Sequence, residues 1–168
     1  VGLIDLEVEN FLSPALLLVL ADPARTRADE QPYGVHEELV FDAAADVQPL
    51  IAAMRAAGIQ AVRMPFRWYM LEPSRGRFVF GGLDPIVAAL RAADIDVLGV
   101  LNDVPTWANG QSGPWSGVYP PFSDTDWANF VYRVAEHYRG QVSAWELWNE
   151  ENIQQFYRPF PDPVRYAA

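Results

Sequence analysis

The sequence predicts an α/β fold: a parallel sheet with helices outside it, built from about four strand–helix units. Two observations predict it. Residues 52–64 (AAMRAAGIQAVRM) and 88–100 (AALRAADIDVLGV) align without a gap at an offset of 36, matching Ala52 with Ala88, Arg55 with Arg91 and Ile59 with Ile95. Each copy reads as a helix with small residues on its packing face, a break at Gly58 or Asp94, and then a strand. The strand runs, 60–64 and 95–101, are short and nearly continuously apolar, as expected of strands buried on both faces.

Taken in order, residues 1–31 form an extension or linker ahead of this pattern. The apolar run 16–20 follows Asp5, Glu7 and Glu9, where an export signal would carry positive charge. It reads as a buried strand or short helix, with a degenerate export signal as the alternative. No stretch reaches the roughly 20 apolar residues needed to span a membrane. Residues 22–31 are polar and rich in breakers, a linker or surface loop. The regular part, 32–168, opens with a first strand at 33–40 (YGVHEELV) and a first helix starting near Asp46. A third copy spans 126–147: Phe130, Val131, Val134, Ala135 and Tyr138 recur at helical spacing, Gly140 breaks the helix, and a strand follows over 142–148. Residues 162–168 look like the first turn of a further helix, with Asp162 as N-cap and Pro163 at its first position.

Composition bounds the chemistry. The 168 residues are 51% hydrophobic and 13% aromatic, which excludes disorder, and the absence of Cys excludes thiolate catalysis, zinc ribbons and a disulfide scaffold. All 12 basic residues are Arg, so neither a P-loop lysine nor a Schiff-base lysine is present. A net charge of −10 argues against nucleic-acid or anionic-membrane partners, which need a basic surface. His36 and His137 stand far apart, so no metal site is expected. The Lys-free, Ala- and Arg-rich composition suggests a bacterial protein, secreted or cytoplasmic.

A β-α-β-α-β-α-β order with units of about 35 residues suits both a doubly wound sheet and a (β/α)8 barrel. The first strand lacks a glycine-rich phosphate loop, since GVHEEL is not GxGxxG. Polar and aromatic residues crowd the C-terminal strand ends instead: His36 and Glu37, Arg63 to Trp68, Asn102 to Trp107, Asn149 to Asn152. Active sites of barrels lie at that end, so the barrel is favoured. Four strands make half of it, because a complete barrel takes about 250 residues. With Val1 and Ala168 both falling inside what read as elements, the expectation is an N-terminal half.

The sharpest local signal is 145–152, WELWNEEN, at the end of the fourth strand. Alternation puts Trp145, Leu147 and Asn149 on one side and Glu146 and Trp148 on the other; beyond the strand end it does not fix where Glu150 points. A carboxylic acid beside tryptophans and a carboxamide suits general acid catalysis, because apolar neighbours favour its protonated form. The competing reading makes Glu150 and Glu151 solvated loop acids capping a helix.

WELWNEEN resembles the W-x-x-W-N-E-P-N segment of clan A retaining glycoside hydrolases, with Glu151 where that pattern most often has proline. AVRMPFRWYMLEPSRGRFVFGGLD resembles the clan's second strand and following loop, and VLGVLNDVPTWA its third strand. The resemblance runs from about Tyr33 to Ala168 and lies nearest the β-xylosidase/α-iduronidase family, then the cellulase family. It implies Glu150 as catalytic acid/base, Asn149 as partner of the sugar 2-hydroxyl, and Arg63 as the active-site arginine. Trp107 would face the cleft, while His36, Trp68 and Asp103 are further candidates for substrate contact, and no cofactor is implied. The Glu72-Pro73 pair would be structural. Trp115 would lid the cleft or stand exposed, Trp127 and Trp145 would be core, and His137 a surface residue. The implied activity is retaining hydrolysis of β-linked glycans or glycosides, with an oligo- or polysaccharide as partner. The clan's nucleophile, a Glu on strand seven, has no counterpart in these residues. A carbohydrate-binding pseudoenzyme or a half-barrel assembly module is the alternative.

Four strands of an unclosed barrel leave two parallel edges and an apolar interior exposed, which drives pairing between copies. The folded 168-residue chain is therefore expected to self-associate, and a single sharp monomer peak in light scattering would refute this.

Overall fold

The computed structural model describes residues 34–36 and 47–167. The extension expected over 1–31, and most of the strand expected at 33–40, lie outside the described residues. Four strands, β1 (Gly34–His36), β2 (Ala61–Arg67), β3 (Asp96–Asn102) and β4 (Ala144–Leu147), form one parallel sheet in the order β1-β2-β3-β4. Helices α1 (Gln48–Ala56), α3 (Asp84–Ala92) and α5 (Asp124–His137) connect successive strands, and two single turns, α2 (Trp68–Leu71) and α4 (Thr106–Asn109), follow β2 and β3. A short α6 (Pro163–Tyr166) comes last. Sequential parallel strands with helices on one side are half of a (β/α)8 barrel, as the sequence repeat implies.

Local chemistry explains the element ends. Ser123 caps α5 by accepting from the Asp126 N–H at 3.2 Å, with Asp124 and Asp126 complementing the helix dipole in the first turn. The helix thus starts at Asp124, two residues ahead of the 126 expected from periodicity. Asp162 caps α6 through hydrogen bonds from the Val164 and Arg165 amides, with Pro163 leading the helix, as expected. β2 and β3 run further toward their C-termini than the apolar runs suggested, whereas β4 stops at Leu147, one residue short of the expected end. Pro65 reads as a stop, yet β2 continues through it to Arg67, paired opposite Val100. Its missing N–H costs the β2–β3 ladder nothing, because the Asp96 N–H bonds the Gln60 carbonyl and alternation from there turns the Pro65 nitrogen to the β1 side of the strand.

The sheet has two chemically different faces, because strand side chains alternate. Val62, Met64 and Phe66 of β2, Val97 and Leu101 of β3, and Trp145 of β4 are buried against the helices. They meet Ile51 and Met54 of α1, Ile86, Val87 and Leu90 of α3, and Phe130 and Val134 of α5. The other face carries Arg63, Pro65, Arg67, Val100, Asn102 and Glu146 toward the barrel interior. Phe66 packs edge-on against both Trp145, at 4.8 Å between ring centroids, and Tyr138, at 5.1 Å. Among the described residues no helix is long and apolar enough to cross a membrane.

Gly99 makes that aromatic cluster possible. A Cβ there would stand 2.6 Å from Trp145 Cε3 and 3.1 Å from Phe66 Cδ2. Both rings are held by neighbours, so neither can withdraw freely. Gly99→Ala is expected to destabilise the fold by about 1–3 kcal/mol through overpacking, read as a lower midpoint in chemical denaturation; an unchanged midpoint would show that the cluster yields.

Candidate active site

The site begins where β4 stops alternating. Trp148 adopts φ +70 and Glu150 φ +50, left-handed conformations that cost a non-glycine residue about 1–3 kcal/mol each. Trp148 is held in place by its backbone N–H to the Leu101 carbonyl (2.8 Å) and its indole N–H to the Phe156 carbonyl (2.7 Å). Its ring packs between Trp127 and Tyr157 at centroid distances of 5.9 and 5.4 Å. With Trp148 turned into the core, the Asn149 side chain comes to the interior face beside Glu146. Simple alternation, which placed Asn149 with Trp145 and Leu147, fails here because the backbone turns left-handed one residue earlier.

Arg63, midway along β2, joins these residues. Its Nε donates to Glu146 Oε2 at 2.9 Å and its Nη2 to Glu146 Oε1 at 2.6 Å, a two-pronged ion pair. Nη2 also donates to Asn149 Oδ1 at 2.8 Å, and Nη1 lies 3.1 Å from His36 Nδ1. Side chains of β2 and β4 therefore meet over β3, as alternate strands do when they fill one layer of a barrel. Glu146 was not among the residues singled out in the sequence. The available signal was its inward position on the fourth strand, opposite in charge to the inward Arg63 on the second.

Above this layer opens a cleft of about 800 Å³, lined by His36, Arg63, Arg67, Asp103, Asn149 and Glu150, with Trp115 at its margin. Asp103 leaves β3 with φ +58 and its Oδ2 lies 3.5 Å from Arg67 Nε. The loop after α4 presses on it: a Cβ on Gly117 would come within 3.1 Å of Asp103 Cα. Trp115, 57% exposed, edges the cleft with the Arg158 guanidinium 6.0 Å from its ring centroid.

Five of the seven residues selected from the sequence, His36, Arg63, Asp103, Asn149 and Glu150, thus gather at one cleft. The two tryptophans do not. Trp68 is fully buried, stacked on Phe130 at 5.0 Å, with its indole N–H given to Glu72 Oε2 at 2.7 Å. The chain passes directly from β2 into α2, which turns Trp68 toward the helices and away from any sugar. Trp107 packs edge-on against Trp68 at 5.5 Å, donates its indole N–H to the Glu72 carbonyl at 2.9 Å, and has the Arg75 guanidinium 5.2 Å from its centroid. It lies outside the lining of the cleft, because α4 swings it to the Glu72 side. Glu72 itself is structural, as expected: it is buried and accepts from both Trp68 and the Gly76 amide (2.6 Å). His137 is a surface residue, as expected, stacked on Phe80 at 3.8 Å and 2.8 Å from Asp84 Oδ1. Trp145 is core, as expected, while Trp127 is only partly buried and packs against the core through Trp68, Phe130 and Trp148.

The overall resemblance matches this geometry. The fold is that of half a (β/α)8 barrel. Residues 43–111 match the β-galactosidase family model of glycoside hydrolase family 42. No match emerges among curated proteins. Among solved structures, a family 39 glycoside hydrolase from the gut symbiont Bacteroides cellulosilyticus WH2 superposes with a TM-score of 0.61 at 24% identity, over 73% of this chain and 25% of that one. A β-galactosidase from the psychrophilic Marinomonas ef1 gives 0.57 at 20% identity, over 75% and 23%. The polyextremophilic β-galactosidase from the Antarctic haloarchaeon Halorubrum lacusprofundi gives 0.55 at 23%, over 75% and 22%. The chain thus spans about a quarter of the length of these structures. At the level of the clan, the comparisons agree with the sequence resemblance; at the level of families, the matching model is the β-galactosidase one.

One contact ties the last helix to the site's base. The Tyr166 hydroxyl donates to the Leu147 carbonyl at 2.8 Å, and burial, then the negative charges of Glu151 and Glu146, pushes its pKa from 10.0 up to about 12. The folded state therefore holds this proton more tightly than the unfolded chain. The stabilisation is complete below pH 10 and is lost as pH rises to about 12. Denaturation midpoints measured across that window are expected to fall less steeply in Tyr166→Phe than in the parent; parallel curves would remove Tyr166 as the cause.

Proposed function

We propose that this chain supplies the acid/base half of a retaining glycosidase active site acting on β-linked glycans or glycosides. The observation that carries the reading is the Asn149–Glu150 pair at the C-terminal end of β4, with Asn149 bound to Arg63 on the floor of the cleft. Retaining hydrolysis uses two carboxyl groups about 5–5.5 Å apart, one protonating the leaving oxygen and one attacking the anomeric carbon. Glu150 is the first: it lines the cleft, flanked by the turn that buries Trp148. Asn149 donates from its amide to the hydroxyl next to the anomeric carbon, a bond that strengthens as the oxocarbenium-like transition state forms. Asp103 and Arg67 face the same cleft and contact the sugar.

The second carboxylate belongs to a later strand of the barrel, outside these 168 residues. Among the described residues, Glu72 is sealed in the core by two hydrogen bonds and Glu146 is bound by Arg63. In the protein carrying the whole barrel, Glu150→Gln is expected to lower kcat on aryl β-glycosides by about 10²–10⁴-fold, with the loss steepest for the poorest leaving groups. An unchanged rate would refute the acid/base assignment. The 168-residue chain alone, folded, is expected to give no turnover above background. Turnover there that disappears in Glu150→Gln would place the nucleophile within this chain.

A further inference from the structure

Resting on that reading, we propose that Glu146 is a positioning residue, which through Arg63 sets the orientation of the Asn149 carboxamide and thereby the site's preference for a substrate hydroxyl. The inference starts from the chemistry of the guanidinium, which has five N–H donors and no acceptor. Whatever end of Asn149 meets Arg63 Nη2 at 2.8 Å must be the oxygen. The amide nitrogen is therefore turned away from Arg63, and Asn149 meets a ligand in the cleft as a donor. A carboxamide free to rotate would offer oxygen and nitrogen to the cleft alike.

Arg63 can perform this task only if it is itself held. Its side chain stands on the interior face, 27% exposed. Its plane is set by Glu146, whose two oxygens engage Nε and Nη2 together at 2.9 and 2.6 Å. Nη2 gives one hydrogen to Glu146 and the other to Asn149, so the carboxylate aims the N–H that fixes the amide. His36 Nδ1, 3.1 Å from Nη1, borders the guanidinium on the β1 side. Two-pronged pairing of this kind is what distinguishes arginine from lysine, which presents a point charge with no fixed plane. Glu146 stands outside the lining of the cleft, so it acts through Arg63 and not on the sugar.

The test compares kcat/KM of the whole protein on an aryl β-glycoside and on its 2-deoxy counterpart, for the parent and for Glu146→Leu, Glu146→Gln and Asn149→Ala. Loss of the aimed hydrogen bond should lower kcat/KM on the hydroxylated substrate by about 10- to 100-fold in Glu146→Leu, since the bond to the 2-hydroxyl strengthens in the oxocarbenium-like transition state. The 2-deoxy substrate, with no hydroxyl to bind, should lose less than about threefold. Glu146→Gln preserves volume and should show the same selectivity at smaller amplitude, because its amide group sets a donor against an Arg63 donor. It carries the test if the Leu variant fails to fold. Equal losses on both substrates would mean a merely structural role and overturn the proposal. So would no loss in either Glu146 variant while Asn149→Ala still penalises only the hydroxylated substrate, a result that leaves the glycosidase reading standing. Full activity in Asn149→Ala and Glu150→Gln would instead overturn that reading, and this inference with it.

Discussion

The arrangement at the open end of the sheet depends on one guanidinium. Arg63 lies on β2 and binds Glu146 on β4 and Asn149 just beyond it, so a single side chain bridges over β3. An arginine at this depth requires compensation for its charge, and the two-pronged carboxylate supplies it at close to ideal distances. Partly buried and offset by the cost of desolvating both charges, the ion pair adds little stability by itself. Its consequence is geometric, since it decides which atoms of Asn149 reach the cleft.

That geometry is supported from behind by aromatic packing. Trp148 takes a left-handed backbone because its ring is accepted between Trp127 and Tyr157 and its indole N–H finds the Phe156 carbonyl. The strain is placed one residue before Asn149 and two before Glu150, at the point where the strand must release both side chains toward the cleft. Trp68, Trp107 and Glu72 form a comparable support after β2, each indole N–H satisfied by Glu72. Strain and buried polar pairs concentrated beside a cleft are the usual marks of a functional site, and here both lie at the C-terminal ends of the strands.

Much of the fold was legible in the sequence because its signals are local. The repeat of small-faced helix, breaker and apolar run required only neighbouring residues, and it led correctly to parallel strands with helices on one side. The caps of α6 and the break at Gly58 were equally local. Strand ends were less so, since Pro65 lies inside β2 only because β3 pairs with the residues around it. For the site, residue type and position at strand ends brought five of seven selected side chains to one cleft. The two errors, Trp68 and Trp107, are aromatic residues equally suited to stacking on a sugar or on Phe130, and no local pattern separates these uses.

By itself, then, the sequence determined the order of elements, the parallel sheet, and the gathering of polar side chains, Asn149 and Glu150 among them, at its C-terminal end. Tertiary structure alone decided that Glu146 belongs with them, that Asn149 turns inward and that the two tryptophans do not reach the cleft. The physical reason is common to all three. Each depends on a partner far away in the chain, 83 residues for Arg63 and Glu146, and on a backbone turn whose direction is chosen by what the neighbouring ring can pack against. Periodicity specifies which face a residue occupies, whereas a hydrogen bond across a barrel layer depends on how the strands curve together.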